Sequence, residues 1–203
     1  MPYPPTLTTR REAGRDLPLL VWRLPAPMLA ISSAPLGGGL GRHGWIVNAT
    51  VPMSYDRDDP AAHLTAISAG LGLTGSGIGH LTGVDVALRA GGHDGGVAAW
   101  ATVGLADPIR AAAPDAPAPR TGTINIIAFL PARMSDAALV NAVVTVTEAK
   151  VQALADRGLD ATGTATDAVT IVCPADGAPE AYGGPRSRWG ARLARAAYVA
   201  VSG

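Results

Sequence analysis

The chain has 203 residues, of which 48% are hydrophobic, and this length predicts one large domain spanning residues 1–203. Sixteen basic and sixteen acidic side chains give a formal net charge of zero, which disfavours nucleic acids and anionic membrane surfaces as partners. Aromatic residues make up only 4% of the chain, whereas 25 residues are Gly and 17 are Pro. This composition predicts a mixed α/β fold whose core consists of small aliphatic side chains.

The single cysteine, Cys173, lies in the apolar run 169–173 and has no partner for an internal disulfide. We expect it to be a buried, unreactive thiol. The first apolar run, 17–22, is too short for the core of a secretory signal, and we find no stretch long enough to cross a bilayer. The sequence therefore predicts a cytoplasmic protein.

The first predicted elements are strands. The apolar runs 17–24 and 28–33 are separated by Pro25 and predict two strands joined by a turn, and 45–51 predicts a third strand. A helix is predicted over 60–71, because aspartates precede it as N-cap candidates and glycines stop it.

Glycine dominates the middle of the chain. The stretch 70–83 is glycine-rich and predicts a loop. The runs 84–88 and 97–105 predict the two strands of a hairpin, closed by a six-residue turn over 91–96. The sheet is therefore expected to be at least partly antiparallel.

The second half of the chain alternates strands with helices. Residues 106–120 are rich in Pro and Ala and predict a surface loop or linker, and the β-branched run 123–130 predicts a strand. A serine N-cap opens a helix predicted over 135–156, and a strand at 168–173 and a closing helix at 187–201 follow.

These elements predict an α/β fold of the α+β type, with a mixed, at least partly antiparallel sheet covered by helices. Gly122 and Thr123, at the head of the 123–130 strand, resemble the place where amidases with a self-processed amino-terminal Ser or Thr nucleophile keep that residue, and this resemblance implies a layered αββα arrangement. We expect the strands at 97–105, 123–130 and 168–173 to pair in one sheet, with the 135–156 helix on one face, because all four segments carry hydrophobic stripes.

The 135–156 helix has an apolar side and a polar line. A stripe with the spacing of a core-facing surface consists of Val140, Val144, Thr147, Val151 and Leu154. The polar line consists of Asn141, Thr145, Glu148 and Gln152. One charge, Lys150, falls on the apolar side, among Leu139, Val143 and Val146. Such a lysine either extends along the rim of a buried face or lies beside a carboxylate in a cleft. We predict the second case, with Glu148, Asp167 and Asp107 as the possible partners.

Seven short blocks resemble, in their order along the chain, those of one enzyme family. They are SSAPLGGG at 32–39, WIVN at 45–48, TVGL at 102–105, GTINII at 122–127, TEAK at 147–150, TGTATDA at 162–168 and GGPRS at 183–187. Together they resemble the adenosylcobinamide amidohydrolase family and extend over most of the chain. One departure is Asp107, where we expect asparagine.

Members of this family remove the aminopropanol arm of adenosylcobinamide, which gives adenosylcobyric acid for re-use in corrinoid assembly. The resemblance implies a salvage amidase that acts on a small-molecule corrinoid. It implies no cofactor, since the cobalt belongs to the substrate, and it leaves a homo-oligomer open. Two other functions also stay open, a corrinoid-binding protein without chemistry and a general amidase or peptidase.

An amidase needs a nucleophile or activated water, a stabilised oxyanion and a proton for the leaving amine. The cysteine is expected to be buried, and the four histidines lack the spacing of a helical zinc site, so the sequence predicts no metal. The nucleophile is then a hydroxyl or water, with Thr164 and Thr166 also in the candidate pool. We predict that the active site contains Thr123, Asn125, Glu148, Lys150 and Asp167.

The substrate-binding prediction rests on flexible backbone and on cationic or imidazole side chains. Clustered glycines let a flat ligand approach the chain closely or present N–H groups to an anion. A histidine in a glycine-rich loop can contact a ligand or carry a proton. The predicted substrate-binding residues are Gly37, Gly38, Gly39, Arg42 and His80.

Overall fold

The computed structural model of the protein describes residues 2–114 and 122–203. Eight strands form one sheet, and three helices pack against it. The strands are β1 (Thr6–Glu12), β2 (Arg15–Ser32), β3 (Gly39–Thr50), β4 (Gly77–Thr82), β5 (Ala90–Asp94), β6 (Val97–Gly104), β7 (Thr123–Phe129) and β8 (Ala168–Cys173). The helices are α1 (Pro60–Gly70), α2 (Asp136–Asp156) and α3 (Gly190–Ser202).

The sheet is mixed, as predicted. Its strand order is β4-β3-β2-β8-β7-β6-β5, with β1 paired to β2. The pairs β3/β4 and β7/β8 are parallel, and the other pairs are antiparallel. The strands predicted at 97–105, 123–130 and 168–173 are the neighbours β6, β7 and β8, so their predicted pairing is confirmed.

The long strand β2 joins the two halves of the sheet. Its first half pairs with β1 and its last residues, from Leu29 to Ser32, pair with β8. The ladder to β3 shifts register between Arg23 and Met28. The prediction of two separate strands is therefore wrong, because this irregular stretch accommodates Pro25, which has no N–H to donate, without ending the strand.

The two halves of the sheet pack face to face, and helices cover their outer faces. Alternate residues of β2 separate the layers: Leu20 faces the other half of the sheet, whereas Leu19 faces the α1 side. On the other side, α2 and α3 pack against β6, β7 and β8 through a third cluster. The layered αββα arrangement is therefore the one that the protein adopts.

The layer between the two sheet halves is apolar at one end. Phe129 of β7 is fully buried there, and its ring stacks on Tyr3 at a centroid distance of 4.7 Å and lies 6.4 Å from the Trp22 ring. The other members of this cluster include Leu20, Ile46, Ile78, Ile127 and Val172. This cluster holds the two halves of the sheet together.

Two strands are rich in glycine, with two glycines each, and were not predicted as strands. The stretch 70–83, predicted as a loop, contains β4, which lies parallel to β3. Gly77 sits beneath the Trp45 ring and Gly79 beneath Leu64, so that the absence of a side chain makes room for large neighbours. The predicted strand at 84–88 is wrong, because only a short 3-10 turn forms at Val86–Leu88.

The partner of β6 in the hairpin is instead β5, inside the predicted turn at 91–96. Gly92 of β5 lies so close to the Ala196 carbonyl of α3 that a Cβ would clash with it. The hairpin turn is Gly95 and Gly96, both with positive φ. In both β4 and β5, therefore, glycine allows a side chain or a helix backbone to pack directly against the strand. Of the predicted loop at 106–120, residues 115–120 lie outside the described part of the chain.

Helix α2 begins as predicted, with the Ser135 hydroxyl accepting from the Ala138 amide at 3.1 Å. The predicted core stripe is wrong at three of its five residues, however, because Val140 and Val144 are about half exposed and Thr147 is exposed, whereas Leu154 is buried. The buried face instead carries Ala138, Leu139, Ala142, Val146, Ala149 and Ala153. Both faces are apolar, and the alanine-rich one is buried because small side chains allow the close approach of neighbouring backbone.

By length and composition alone, helix α2 could cross a membrane. This differs from the expectation that the chain contains no stretch long enough to do so. Half of this stretch is buried inside the protein. One face of α2 packs on β8 and α3, so α2 contributes to the core of the α/β fold.

We expect Phe129→Ala to lower the free energy of unfolding by about 3–5 kcal/mol, because it leaves a cavity between the two halves of the sheet. Val140→Ala removes an exposed side chain and serves as the control that changes little. Urea unfolding measures both. A small loss in Phe129→Ala would contradict the face-to-face packing.

Candidate active site

Beyond the apolar cluster, the space between the sheet halves becomes polar. Asn48 of β3 donates from Nδ2 to Thr102 Oγ1 of β6 at 3.1 Å. Asn125 of β7 donates from Nδ2 to Asn48 Oδ1 and to the Leu81 carbonyl of β4, each at 3.0 Å. The two strands that each bond joins are not neighbours in the sheet, so the bonds connect its two halves across the interior.

His80 belongs to this buried polar layer. It lies in β4 and not in a loop, with no exposed surface, and its Nε2 is 2.7 Å from Thr170 Oγ1, which is 2.7 Å from Ser32 Oγ. Burial lowers the pKa of His80 to about 4, opposed by the nearby Asn125 side chain, so the imidazole is neutral at pH 7. Its Nδ1 has no hydrogen-bond partner in the described part of the chain.

A cleft of about 200 Å³ opens at this polar end. Its polar lining consists of the Asn125 amide, the hydroxyls of Thr82, Thr123 and Thr166, and the Tyr55 phenol. Its apolar lining is Pro35, Val51, Pro52, Met53, Pro60, Leu81 and Ala168. The structure thus brings the predicted residues Thr123 and Asn125 to the same cleft.

The Thr123 hydroxyl is held by a second threonine. Its Oγ1 lies 2.7 Å from Thr166 Oγ1, which lies 2.8 Å from the Gly122 carbonyl oxygen. Because a carbonyl only accepts, Thr166 donates to Gly122 and accepts the Thr123 proton. The lone pairs of Thr123 Oγ1 are left for other partners, but its hydrogen-bond partner is a hydroxyl and not a base.

Asp167 and Lys150 form an ion pair behind this hydroxyl pair. Lys150 Nζ lies 2.5 Å from Asp167 Oδ2, and the two side chains are 10% and 12% exposed. Asp167 also accepts from the amides of Ile124 and Thr164 at 2.9 and 3.1 Å. The Thr164 hydroxyl lies 2.5 Å from Asp167 Oδ1 and 2.8 Å from the Gly122 carbonyl. The predicted carboxylate next to Lys150 is therefore Asp167.

These contacts indicate what Asp167 does. It fastens the 162–167 loop and helix α2 to the start of β7, and neither it nor Lys150 lines the cleft. Gly163 lies directly over the pair, where a Cβ would clash with both charged groups. The catalytic roles predicted for Lys150 and Asp167 stay predictions, and the geometry favours a positioning role.

The remaining predicted residues lie away from the cleft. Glu148 is exposed on α2. Arg42 is exposed and lies 3.7 Å from Asp176. The glycine cluster, Gly37, Gly38 and Gly39, connects β2 to β3, and a Cβ at Gly37 would clash with the Gly77 carbonyl of β4. None of these residues, nor His80, lines the cleft as the described residues define it, and their roles in catalysis or substrate binding stay predictions.

Sequence reasoning missed Asn48, Thr82, Thr102 and Tyr55. Asn48 is detectable in principle, since it is a lone amide in the apolar run 45–51, at the phase of Ile46 that points inward. Tyr55 lies in a loop without any periodic signal. In residues 2–114 and 122–203, no three His, Cys, Asp or Glu side chains converge as a metal site.

Lys150→Met should lower the free energy of unfolding by about 3 kcal/mol, because it leaves the Asp167 carboxylate without its cation in a nearly buried site. The double variant Lys150→Met/Asp167→Asn should recover part of this loss. Arg11→Met, which breaks an exposed ion pair with Asp16, is the matched control and should change little. If Lys150→Met and Arg11→Met lowered the free energy of urea unfolding equally, the burial of the Lys150–Asp167 pair would be contradicted.

The buried His80 predicts a pH dependence. Its pKa is about 4 in the folded protein, below the ordinary 6.5, so the unfolded chain takes up the proton first as pH falls. Stability is therefore fully present above about pH 6.5 and declines by about 3 kcal/mol toward pH 4. We expect His80→Gln to flatten this decline in unfolding measured from pH 7 to 4. His93→Gln, an exposed histidine, should leave it unchanged, and a steep decline persisting in His80→Gln would refute the assignment.

Comparison with known proteins connects this site to a family. The family model described as adenosylcobinamide amidohydrolase matches residues 4–203. A protein named adenosylcobinamide amidohydrolase from Methanosarcina mazei is 33% identical over 139 residues, which cover 68% of this chain and 66% of that protein, just under two thirds of its length. A protein of the same name from Halobacterium salinarum is 32% identical over 181 residues, which cover 84% of this chain and 78% of that protein. The chain belongs to the adenosylcobinamide amidohydrolase family.

Proposed function

We propose that the protein hydrolyses the aminopropanol amide of adenosylcobinamide and gives adenosylcobyric acid for cobamide salvage. The observation that carries this proposal is the family match over residues 4–203, which includes every described residue that lines the cleft. We propose that no cofactor takes part and that cobalt enters only as part of the substrate.

The size of the cleft supports a particular binding mode. A cavity of about 200 Å³ is smaller than the 300–1,000 Å³ that is typical for drug-sized ligands, and a corrinoid is larger than these. An amide side arm fits, whereas a macrocycle does not. The corrin ring then lies across the mouth of the cleft, where Met53, 60% exposed, and neighbouring prolines offer an apolar surface.

The lining groups can meet the demands of amide hydrolysis. Thr123 Oγ1, or a water in its place, attacks the carbonyl carbon of the arm. Thr82 Oγ1 accepts from the Val84 amide at 3.1 Å, and its own proton has no acceptor among the described residues. That proton is available to the oxyanion that forms in the tetrahedral intermediate. Asn125, held by two hydrogen bonds, fixes the floor of the cleft.

We place this reaction in the cytoplasm. Cys173 is buried, and burial raises the pKa of its thiol, so it stays a protonated, unreactive side chain.

A homo-oligomer is compatible with the exposed valines Val140 and Val144 of α2. Light scattering measures the oligomeric state.

Incubation of the purified protein with adenosylcobinamide tests the function. Release of aminopropanol together with adenosylcobyric acid is the expected result. Corrinoid binding without release would instead indicate a binding protein, and turnover of simple peptide amides at a similar rate would indicate a general amidase.

Thr123→Ala should lower kcat by at least about 10²-fold, and Thr123→Ser should retain most of it, because serine supplies the same hydroxyl. The matched control is Thr147→Ala, an exposed threonine of α2. Wild-type turnover by Thr123→Ala would exclude Thr123 as the nucleophile and leave activated water.

A further inference from the structure

Among the described residues around the cleft, neither Thr123 nor Asp167 has a free base beside it or to offer. The Thr123 hydroxyl donates to Thr166, and the Asp167 carboxylate behind it already accepts from two amides and Lys150. Among the described residues that line the cleft, Tyr55 is the only one with a titratable side chain. Amide hydrolysis needs a proton to leave the nucleophile and another to reach the leaving amine, so the environment of Tyr55 matters.

Tyr55 is connected to a histidine and a carboxylate outside the cleft. The Tyr55 hydroxyl lies 3.2 Å from His63 Nδ1, and the two rings stack with centroids 5.5 Å apart and an interplanar angle of 16°. His63 Nε2 lies 3.0 Å from Glu12 Oε1. Glu12 in turn accepts from Arg10 Nε at 2.8 Å. This chain of contacts joins the cleft to a separate groove that Glu12 and His63 line.

The hydrogen-bond directions follow from the carboxylate. Glu12 only accepts, so His63 carries its proton on Nε2, and its Nδ1 accepts from the Tyr55 hydroxyl. A carboxylate, an imidazole and a hydroxyl in this order form the arrangement that moves protons in hydrolases with a serine, a histidine and an acid. Here the hydroxyl at the end of the chain belongs to a tyrosine.

We propose that Tyr55 is the acid–base group of the cleft and that His63 and Glu12 are the positioning residues that let it take up and return a proton. The inference rests on the proposed amidohydrolase function and names the group that this function requires. It involves a residue of a loop, a residue of α1 and a residue of β1.

The reaction consumes one water, and its protons balance. When water is the nucleophile, its oxygen bonds to the amide carbon and its proton passes to the Tyr55 oxygen, while the Tyr55 proton passes to His63 Nδ1. The imidazolium that forms is stabilised by Glu12. When the carbon–nitrogen bond breaks, His63 returns its proton to Tyr55, and Tyr55 gives one to the leaving amine. When Thr123 attacks first, a water then cleaves the resulting ester; the water proton follows the same route to Tyr55 and His63 and returns to Thr123 Oγ1 as the carbon–oxygen bond breaks.

Charged neighbours keep the groups in the required states. Burial raises the pKa of Tyr55, and Asp59 and Glu12 act in the same sense, whereas Arg57 and Arg10 oppose them. Burial disfavours the charged form of Glu12, but Arg10 and His63 outweigh burial and lower the pKa of its carboxyl. At pH 7 the series of contacts therefore has a neutral phenol, Tyr55, at one end and a carboxylate, Glu12, at the other.

Paired variants and pH profiles test this relay. Tyr55→Phe and His63→Gln should each lower kcat for adenosylcobinamide by about 10²-fold or more with little change in KM. His63→Gln should also change the shape of the kcat–pH profile, which the loss of a purely structural contact would leave unchanged. Tyr182→Phe and His93→Gln make the same chemical changes at exposed positions away from the cleft and should retain wild-type kcat.

Unfolding measurements separate the relay from a structural tie between β1 and α1. A kcat loss in variants whose urea midpoints match the wild type supports the relay. Wild-type kcat and an unchanged pH profile in Tyr55→Phe would overturn it while leaving the amidohydrolase function standing. A wild-type protein without turnover would overturn the proposed function, and the relay with it.

Discussion

The face-to-face packing of two halves of one hydrogen-bonded sheet is the constraint on which the rest of the structure depends. It requires one strand to belong to both halves, and β2 does so through the irregular stretch between Arg23 and Met28. Because the halves face each other, inward side chains of strands far apart in the sheet meet. Apolar side chains such as Phe129 meet at one end, and Asn48 and Asn125 bond at the other. The cleft is the solvent-facing end of this polar layer.

Hydrogen bonds at the start of β7 explain why two blocks of sequence act as one structural unit. The segment 122–127 contains the start of β7, and the segment 162–168 leads into β8, which lies parallel to β7. Asp167 binds the amide of Ile124, and Thr164 and Thr166 bind the Gly122 carbonyl. The Lys150 pair fixes this junction from behind. The buried charges thus lie next to the backbone that carries Thr123, whereas the proposed proton transfer takes place at Tyr55.

Much of the fold could be predicted from the sequence, because β7 and β8 are β-branched runs and α2 has a serine cap. The strands β4 and β5 could not, since glycine carries no periodic signal and is required there only because Trp45 and α3 pack against the backbone. The buried face of α2 was also not predictable, because both faces are apolar and the choice depends on the neighbouring surface. Lys150 was detectable as a charge on an apolar line.

The site was predictable only in part, for a related reason. Thr123 and Asn125 follow from a strand that starts with polar residues, whereas the contact of Asn125 with Asn48 depends on the fold of the whole sheet. Tyr55 contacts His63 of α1, which contacts Glu12 of β1. Because Glu12 and His63 are separated by about fifty residues of sequence, no local sequence pattern predicts their contact.

The central claim is that the interlayer cleft receives the amide arm of a corrinoid. The structure of a complex of the Thr123→Ala protein with adenosylcobinamide tests it most directly. The account predicts the arm inside the cleft, with its amide carbonyl carbon facing residue 123 and Thr82, and the corrin ring across the mouth against Met53. A corrinoid bound in the separate groove lined by Arg57 and His63, or on the exposed face of α2, would contradict it.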